Sequence, residues 1–379
     1  MKEDTIYLDY NATTPLLPEV VDAMLPFLRD HFGNPSSSHA PGRAAREAVD
    51  RARAQVAALI GSRSDEIVFT SGGTESNNMA IRGVAEARPD RRHLVTSVIE
   101  HPAVAAPCAW LERHGWRITR VGVDACGRVE VEQAVGALGP ETNLVTIMHA
   151  NNETGVLQPV QPIAEVARRA GALVHSDAAQ SVGKLPVDVG ALGVDLLSIA
   201  GHKLYAPKGV GALYVRRGTP LLPFVLGAGH ERGLRPGTEN VASIVGLGVA
   251  CERARLDMAR ESERIRTLRE LLWDELRAQV PGLALNGHPY ERLPNTLSVR
   301  FPGLSSLALL EAAPSVAAST GSACHAGHEE APQVVLAMKI SYREALGTVR
   351  LSLGRGSTEA EVRRAATALG KAWHALSLR

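Results

Sequence analysis

Residues 172–209, ALVHSDAAQSVGKLPVDVGALGVDLLSIAGHKLYAPKG, decide the fold. The stretch contains two short apolar runs, 172–179 and 194–201, and each run passes directly into a polar or glycine-containing turn. Short apolar runs bounded by turn residues predict buried strands. A segment with helical spacing, PIAEVARRAG (162–171), precedes the first run. Strand and helix alternate here, which predicts a mostly parallel sheet covered by helices.

The same alternation extends in both directions, from about residue 45 to residue 250. Five further apolar runs predict strands at 66–70, 93–98, 117–123, 143–150 and 209–215. Together the seven runs predict an α/β fold with a mostly parallel seven-stranded sheet and helices on both faces. In such a sheet we expect ligands to bind beyond the carboxyl ends of the strands.

The pattern changes after residue 240, where a long helical pattern covers 243–280. Two strands and a last helix are predicted beyond it, at 295–301, 348–354 and 359–377. The capping box Thr358-x-x-Glu361 marks the start of that last helix. This mixture of elements predicts a smaller α+β domain.

The first dozen residues have no place in the strand–helix alternation, and we expect them to pack away from the main sheet. We therefore predict two domains. Residues 14–250 form the large, ligand-binding domain, and residues 1–13 and 251–379 together form the small domain.

Composition argues against several classes of protein. Lys+Arg number 41 and Asp+Glu 40, so a net charge of +1 gives no support for direct nucleic-acid binding. The N-terminus, MKEDTIYLDYNATTP, lacks the apolar region of a signal peptide, and we expect no membrane span. The four cysteines (Cys108, Cys126, Cys251 and Cys324) are scattered, with no C-x-x-C pair. This usage predicts free thiols and a cytoplasmic location.

Asp177 and Lys203 each stand at the end of a predicted strand, where a parallel sheet binds its ligands. A lysine that can form a Schiff base and an aspartate that can pair with a pyridinium nitrogen are what pyridoxal phosphate requires. The carboxylate keeps the ring nitrogen protonated, so that the ring accepts electrons. The structural alternative is a plain Asp177–Lys203 ion pair.

A phosphate site is predicted in EIVFTSGGTESNNMAIRG (66–83), where a strand, two glycines and a helix follow one another. Gly72 and Gly73 allow backbone N–H groups to approach a ligand, and Thr74 adds a hydroxyl at the helix N-terminus. The motif is neither a Walker loop nor G-x-G-x-x-G. A helix that simply begins after a glycine turn remains the alternative.

Further polar residues follow the other predicted strands. His101 could lie over a flat cofactor, and Asn152 or Gln180 could bind its phenolic oxygen. Arg350 lies in the strand pattern 348–354, and Arg355 follows it. Either guanidinium could bind a substrate carboxylate through two hydrogen bonds.

Ten motifs together carry a resemblance to a known family. They are YLDYNATTP, FGNPSSSH, FTSGGTESNN, EHPAV, NNETGVLQP, SDAAQSVGKLPVD, GHKLYAPKGVGALYVRR, GHERGLRPGTEN, STGSACHAG and VRLSLGR. The chain resembles the cysteine desulfurases and selenocysteine lyases, which are class V aminotransferase-like, fold-type-I pyridoxal-phosphate enzymes. The resemblance covers essentially the whole chain and implies the fold-type-I transferase fold.

The resemblance implies a role for each matching residue. The expected cofactor-binding residues are Gly73, Thr74, His101, Asn152, Asp177, Gln180, His202, Lys203 and Thr238. Lys203 would form the Schiff base and move the α-proton, and His101 would stack on the ring and assist proton exchange. Thr238 would reach the phosphate of a partner subunit, which implies a homodimer. Arg350, with Asn152, would bind the substrate.

Cys324 matches the family's persulfide-forming cysteine. It lies in ASTGSACHAGH (318–328), a run of small residues that would let the thiol travel between cofactor and acceptor. The implied reaction takes sulfur from L-cysteine, leaving L-alanine and a persulfide on Cys324. The sulfur then passes to an acceptor protein for iron–sulfur assembly, tRNA thiolation or DNA phosphorothioation.

Several alternatives remain open from the sequence. One is a selenocysteine lyase, which is favoured by Ala200 where many desulfurases carry a phosphate-binding serine, and by the sequence after Cys324. Another is a sulfur-relay scaffold that acts mainly by binding partners. We expect no resident metal, although a transient iron–sulfur cluster at Cys324 is compatible with the sequence. A metal site built from Cys324, His325 and His328 has spacing unlike a usual zinc site.

Overall fold

The computed structural model describes residues 5–321 and 330–378. The strands are β1 (Ile6–Tyr7), β2 (Ile67–Thr70), β3 (His93–Ser97), β4 (Arg117–Val121), β5 (Thr142–Thr146), β6 (Leu173–Asp177), β7 (Leu196–Ala200), β8 (Gly211–Val215), β9 (Ala284–Leu285), β10 (Thr296–Arg300), β11 (Val316–Ala317) and β12 (Thr348–Ser352). The α-helices are α1 (Pro18–Arg29), α2 (Ala40–Leu59), α3 (Gly73–Ala87), α4 (Pro102–Arg113), α5 (Val131–Gly136), α6 (Val160–Arg169), α7 (Val189–Leu192), α8 (Val241–Gln279), α9 (Ser306–Ala312), α10 (Gln333–Ala337), α11 (Tyr342–Ala345) and α12 (Glu359–Ser377).

The main sheet has seven strands in the order β2-β8-β7-β6-β5-β3-β4. The pairs β3–β4, β3–β5, β5–β6 and β6–β7 are parallel. Strand β8 runs antiparallel to both of its neighbours, β2 and β7. Each of the seven strands overlaps its predicted run, with ends that agree within two residues except in β5, which ends at Thr146, four residues before the predicted end. The predicted mostly parallel sheet is confirmed.

Helices cover both faces of this sheet because its strands are apolar on both sides. In β7, Leu196 packs in the cluster under α3 and α4, whereas Leu197 packs in the larger cluster on the opposite face. In β2, Val68 and Phe69 divide between the two clusters in the same way. A continuous apolar run such as IVF is therefore what a strand that is covered by helices on both faces requires.

A second layer contains the antiparallel sheet β12-β10-β9 and the short pair β1–β11. Strand β1 pairs in parallel with β11, with Ile6 opposite Val316. Ile6 and Leu8 are buried in the same cluster as Val349 and Leu351 of β12. Residues 6–8 thus pack away from the main sheet, as expected, whereas Asn11 and Ala12 contact Lys203 at the edge of the main sheet.

Helix α8 joins the two layers as one continuous helix of 39 residues. Leu247 and Cys251 lie in the core on one face of the main sheet, and Leu272 and Leu276 lie in the core of the second layer. Because the helix passes through residue 250 without a break, the division of the chain into domains at that point stays a prediction.

The end of the chain follows the predicted pattern. The Thr358 hydroxyl accepts from the Glu361 N–H, and a Glu361 carboxylate oxygen accepts from the Thr358 N–H at 2.9 Å. These reciprocal bonds form the predicted capping box at the start of α12. Within 5–321 and 330–378, no helix combines the length and the apolar character needed to cross a bilayer.

The role of α8 in the second core is tested by shortening Leu272, which is fully buried. Leu272→Ala should destabilise the protein by about 3 kcal/mol, because it removes buried methyl groups and leaves a cavity. The matched control is Leu256→Ala on the same helix, where the side chain is 59% exposed. Urea unfolding should give a clearly lower midpoint for Leu272→Ala alone. Equal midpoints for the two variants would contradict this packing.

Candidate active site

A cavity of about 460 Å³ lies at the carboxyl ends of the parallel strands. Nine of the predicted residues line it, namely Gly73, Thr74, His101, Asn152, Asp177, Gln180, His202, Lys203 and Arg350. The topology explains their convergence. Parallel strands end at the same edge of a sheet, so the residues that follow β3, β5, β6 and β7 meet there. Strand β12 of the second layer contributes Arg350 from the other side.

Asp177 is the last residue of β6 and is only 8% exposed. One of its oxygens accepts from the Asn77 side-chain amide at 2.7 Å, and the other accepts from the Ala179 N–H at 2.9 Å. In the described part of the chain it forms no ion pair with Lys203, so the structural alternative raised by the sequence is wrong. Its oxygens keep lone pairs for a donor inside the cavity.

Lys203 follows β7 in a short 3₁₀ turn, Gly201–Lys203. Its Nζ donates to the backbone carbonyls of Asn11 and Ala12, the latter at 2.7 Å. Burial and the positive charge of Arg350 lower the pKa of Lys203 to about 8, although nearby carboxylates act in the opposite direction. A lysine with this pKa has an appreciable fraction of neutral, nucleophilic amine near neutral pH, which a lysine of ordinary pKa lacks.

The first turn of α3 faces the same cavity. Gly72 precedes the helix with φ of 146°, a backbone conformation that favours glycine, and it provides no side-chain cap. The N-terminal N–H groups at Gly73 and Thr74 are therefore open to an anion, as the phosphate prediction requires. His202 lies nearby, and burial with the charge of Lys203 lowers its pKa to about 4, so its ring is neutral.

His101 caps the N-terminus of α4. Its Nδ1 accepts from the Ala103 N–H at 3.1 Å, which places the proton of a neutral ring on Nε2. Burial lowers the pKa of His101, and the charge of Lys203 acts in the same direction while Asp177 opposes it. The cavity thus contains an imidazole that is neutral at physiological pH, with one N–H available to donate.

Gln180 belongs to a buried hydrogen-bond network that the sequence did not predict. Its Nε2 donates to the Asn11 carbonyl at 3.0 Å, and its Oε1 accepts from Lys184 Nζ at 2.9 Å. Lys184 also donates to Asn11 Oδ1 at 3.0 Å. Burial, together with Lys203 and Arg350, holds the pKa of Lys184 well below its usual range. These bonds fix the orientation of the Gln180 amide, whose second N–H remains for a ligand.

Arg350 is 6% exposed and lies between two carboxylates. Its Nη1 donates to Glu153 at 2.7 Å and its Nη2 donates to Asp9 at 2.8 Å, while its buried Nε has no partner in the described residues. Burial raises the pKa of Glu153, which Arg350 opposes. A substrate carboxylate that entered the cavity would therefore approach a guanidinium whose two terminal nitrogens already donate hydrogen bonds to Glu153 and Asp9.

One described residue of the predicted site, Thr238, is not in this cavity. Thr238 is exposed. Cys324 lies outside the described residues, so the persulfide prediction and any cluster at that residue stay predictions. Ser319 and Gly321 do line the cavity, and they begin the segment that leads to Cys324. Within the described ranges, no group of three or more His, Cys, Asp or Glu side chains could hold a metal.

Four residues of the site escaped prediction: Asn11, Asn77, Glu153 and Lys184. Asn77 lies one helical turn after Thr74, so the helix predicted there already placed it beside the phosphate site. Glu153 and Lys184 lie within motifs that were singled out, but neither follows a strand directly. Asn11 reaches the site from a segment 192 residues before Lys203, which no local pattern indicates.

The comparisons with known proteins agree with this geometry. The family model described as aminotransferase class-V matches residues 6–365. The chain belongs to the class-V aminotransferase family. It is 48% identical over 365 residues to a cysteine desulfurase of Gluconacetobacter diazotrophicus, covering 95% of this chain and 91% of the relative. The predicted resemblance to the cysteine desulfurases is confirmed.

Solved structures of this family share the fold. A NifS-like protein superposes with a TM-score of 0.91 at 36% identity, covering 99% of this chain and all of the other. A second structure, described as SspA in complex with cysteine, superposes with a TM-score of 0.83 at 38% identity and covers 92% of this chain and 99% of the other. The predicted transferase fold is confirmed.

The lowered pKa of Lys203 is tested by acetylation of the cofactor-free protein across a pH series. Below about pH 8 the amine is protonated and unreactive, and above it the neutral amine reacts. We expect the initial rate at Lys203, mapped by mass spectrometry, to rise with a midpoint near pH 8. The peptide that contains Lys203 is identified by the loss of its acetyl label in the Lys203→Arg variant. A midpoint near the ordinary lysine value would contradict the electrostatic description of the site.

Proposed function

We propose that this protein is a pyridoxal-phosphate-dependent cysteine desulfurase. It takes sulfur from L-cysteine, releases L-alanine and holds the sulfur as a persulfide on Cys324 for an acceptor protein. The observation that carries the proposal is one cavity that contains a lysine of lowered pKa, a buried aspartate and an open helix N-terminus. Membership of a pyridoxal-phosphate-dependent family and similarity to a protein described as a complex with cysteine support it.

The residues of the cavity fit the cofactor. The uncapped first turn of α3 at Gly73 and Thr74, with His202 beside it, would hold the phosphate. Asp177 would accept from the pyridinium N–H, and Gln180 would donate to the phenolic oxygen. When bound, pyridoxal phosphate supplies an electron-accepting ring that stabilises negative charge at the substrate α-carbon.

The chain's own residues would perform the proton transfers. Lys203, neutral near pH 8, would take the proton from the substrate α-carbon. The Asn11 and Ala12 carbonyls hold its Nζ inside the cavity before substrate enters. His101 carries its proton on Nε2 and would exchange it with the reacting thiol.

Arg350 would orient the substrate through its carboxylate. The substrate would have to exchange with Glu153 or Asp9, or use the buried Nε that has no partner in the described residues. Two carboxylates that hold the guanidinium in place before binding would favour one orientation of the incoming amino acid. They would also favour release of the product alanine, which uses the same carboxylate contact.

Sulfur transfer requires a nucleophile, which we assign to Cys324. Its thiolate would attack the substrate Sγ and form an S–S bond as the substrate Cβ–Sγ bond breaks. The electron pair of that bond would remain on the carbon side, where protonation of Cβ completes alanine. The segment that leads to Cys324 starts at Ser319 and Gly321 on the cavity wall, which supports access of the thiol to the substrate.

We also propose that the working enzyme is a cytoplasmic homodimer. Thr238 is exposed, as expected for a residue that contacts a partner subunit's phosphate site. Leu226 in the same region is 85% exposed, and Phe32 is 89% exposed, which is unusual for large apolar side chains unless another surface covers them. Cys108, Cys126 and Cys251 are free thiols, which is typical of a reducing compartment.

The function is tested by incubating the cofactor-loaded protein with L-cysteine in the absence of reductant. We expect stoichiometric addition of one sulfur atom, mapped to Cys324, with release of alanine. Cys324→Ser should lose the added sulfur, and Lys203→Ala should lose both products. Cys126→Ser is the control, because Cys126 is a partly exposed free thiol outside the cavity. Sulfur on Cys126 instead, or no alanine from the loaded wild type, would contradict the proposal.

A further inference from the structure

A second cavity, of about 690 Å³, lies away from the candidate active site. Its walls are the end of α2, the segment 185–188, the middle of α8 and the segment 290–294. It is larger than the active-site cavity and shares no lining residue with it. The proposed desulfurase reaction makes no use of it. Cavities of this size are in the range of small-molecule sites.

Two buried arginines line this cavity. Arg269 and Arg292 are each only 6% exposed. Arg269 pairs with Glu270, which is on the same helix and 60% exposed. Arg292 forms no ion pair with any described residue. Its Nε donates to the His288 carbonyl, its Nη2 to the Asn286 carbonyl, and its Nη1 has no hydrogen-bond partner in the described chain.

The charge of Arg292 is therefore not compensated by the protein. Burial and the neighbouring guanidinium of Arg269 lower the pKa of Arg292 to about 9. An isolated buried charge is costly, and such charges are normally paired. The carbonyl bonds explain how Arg292 holds the segment around residue 288. They do not explain why a second guanidinium lies beside it with no acid between them.

The more exposed part of the cavity is also basic. Arg255 and Arg266 line it, with side chains 45% and 53% exposed. The lining acids, Asp188 and Glu263, already have partners. Asp188 caps α7, and Glu263 pairs with Arg266. Arg255 and Arg269 pair with Glu252 and Glu270, two acids that do not line the cavity. Arg292 is therefore the lining arginine that has no acidic partner among the described residues.

The remaining walls are largely apolar, and the side chains include Leu59, Leu157, Leu185, Val187 and Met258. We propose that this cavity binds a small organic anion, with a carboxylate, sulfonate or phosphate on the arginines and an apolar group against these walls. A bound anion would supply the negative counter-charge that Arg292 lacks. Apolar walls with a few convergent charged groups are the usual composition of a small-molecule site.

Binding is tested on the cofactor-loaded protein with a fluorescent probe, 1-anilinonaphthalene-8-sulfonate. The matched neutral probe is N-phenyl-1-naphthylamine, which has the same rings and no sulfonate. We expect saturable binding of the sulfonate and binding of the neutral probe that is about tenfold weaker or more, because only the sulfonate makes charged hydrogen bonds. Equal affinity for the two probes would overturn the proposal.

The site is located with charge-reversal variants of exposed arginines, because the Arg292 side chain also holds the segment around residue 288. Arg255→Glu changes an exposed residue and should weaken sulfonate binding about threefold or more. Its matched control, Arg277→Glu, lies on the same helix, is also exposed and also pairs with an acid three residues earlier. Identical affinities for Arg255→Glu and Arg277→Glu would overturn the proposal.

Discussion

The hydrogen bonds of Asn11 hold the candidate active site together. Its backbone carbonyl accepts from Lys203 and from Gln180, and its side-chain oxygen accepts from Lys184. Its Nδ2 donates to Thr296 of the second layer at 2.9 Å. One residue of the N-terminal segment thus joins the main sheet to the second layer and positions both lysines. Because these groups are buried, loss of one partner would leave others unsatisfied, which makes the network energetically coupled.

The charged side chains around the cavity are arranged so that different chemical groups of a ligand could bind there. Burial and the positive charge of Arg350 lower the pKa of Lys203 to about 8, so that the amine is half neutral at that pH. Asp9 and Glu153 hold Arg350 in place. Under the proposed function, Lys203 would then be prepared for proton transfer and Arg350 for the substrate carboxylate.

Short-range sequence patterns predicted the parts of the fold that are determined by residues close together in the chain. Six of the seven strands were recognisable because they are almost wholly buried and therefore rich in apolar residues. The edge strand β4 is largely exposed. Asp177 and Lys203 were recognisable because each lies at the end of a buried strand. By contrast, the pairing of β1 with β11 joins segments 310 residues apart, and Asn11 looks like an ordinary loop residue. The acids that hold Arg350 were missed for the same reason, since long-range contacts leave no periodic signal.

Under the proposed function, Lys203 is the amine that attaches the cofactor. Borohydride reduction of the protein loaded with pyridoxal phosphate, followed by peptide mapping, tests it directly. Lys184 is the other lysine that could attach the cofactor, because its Nζ belongs to the hydrogen-bond network around Asn11 and is also buried. We expect the pyridoxyl label on Lys203 alone, and we expect the Lys184→Met variant still to be labelled at Lys203. A label on Lys184, or on no residue of the cavity, would contradict it.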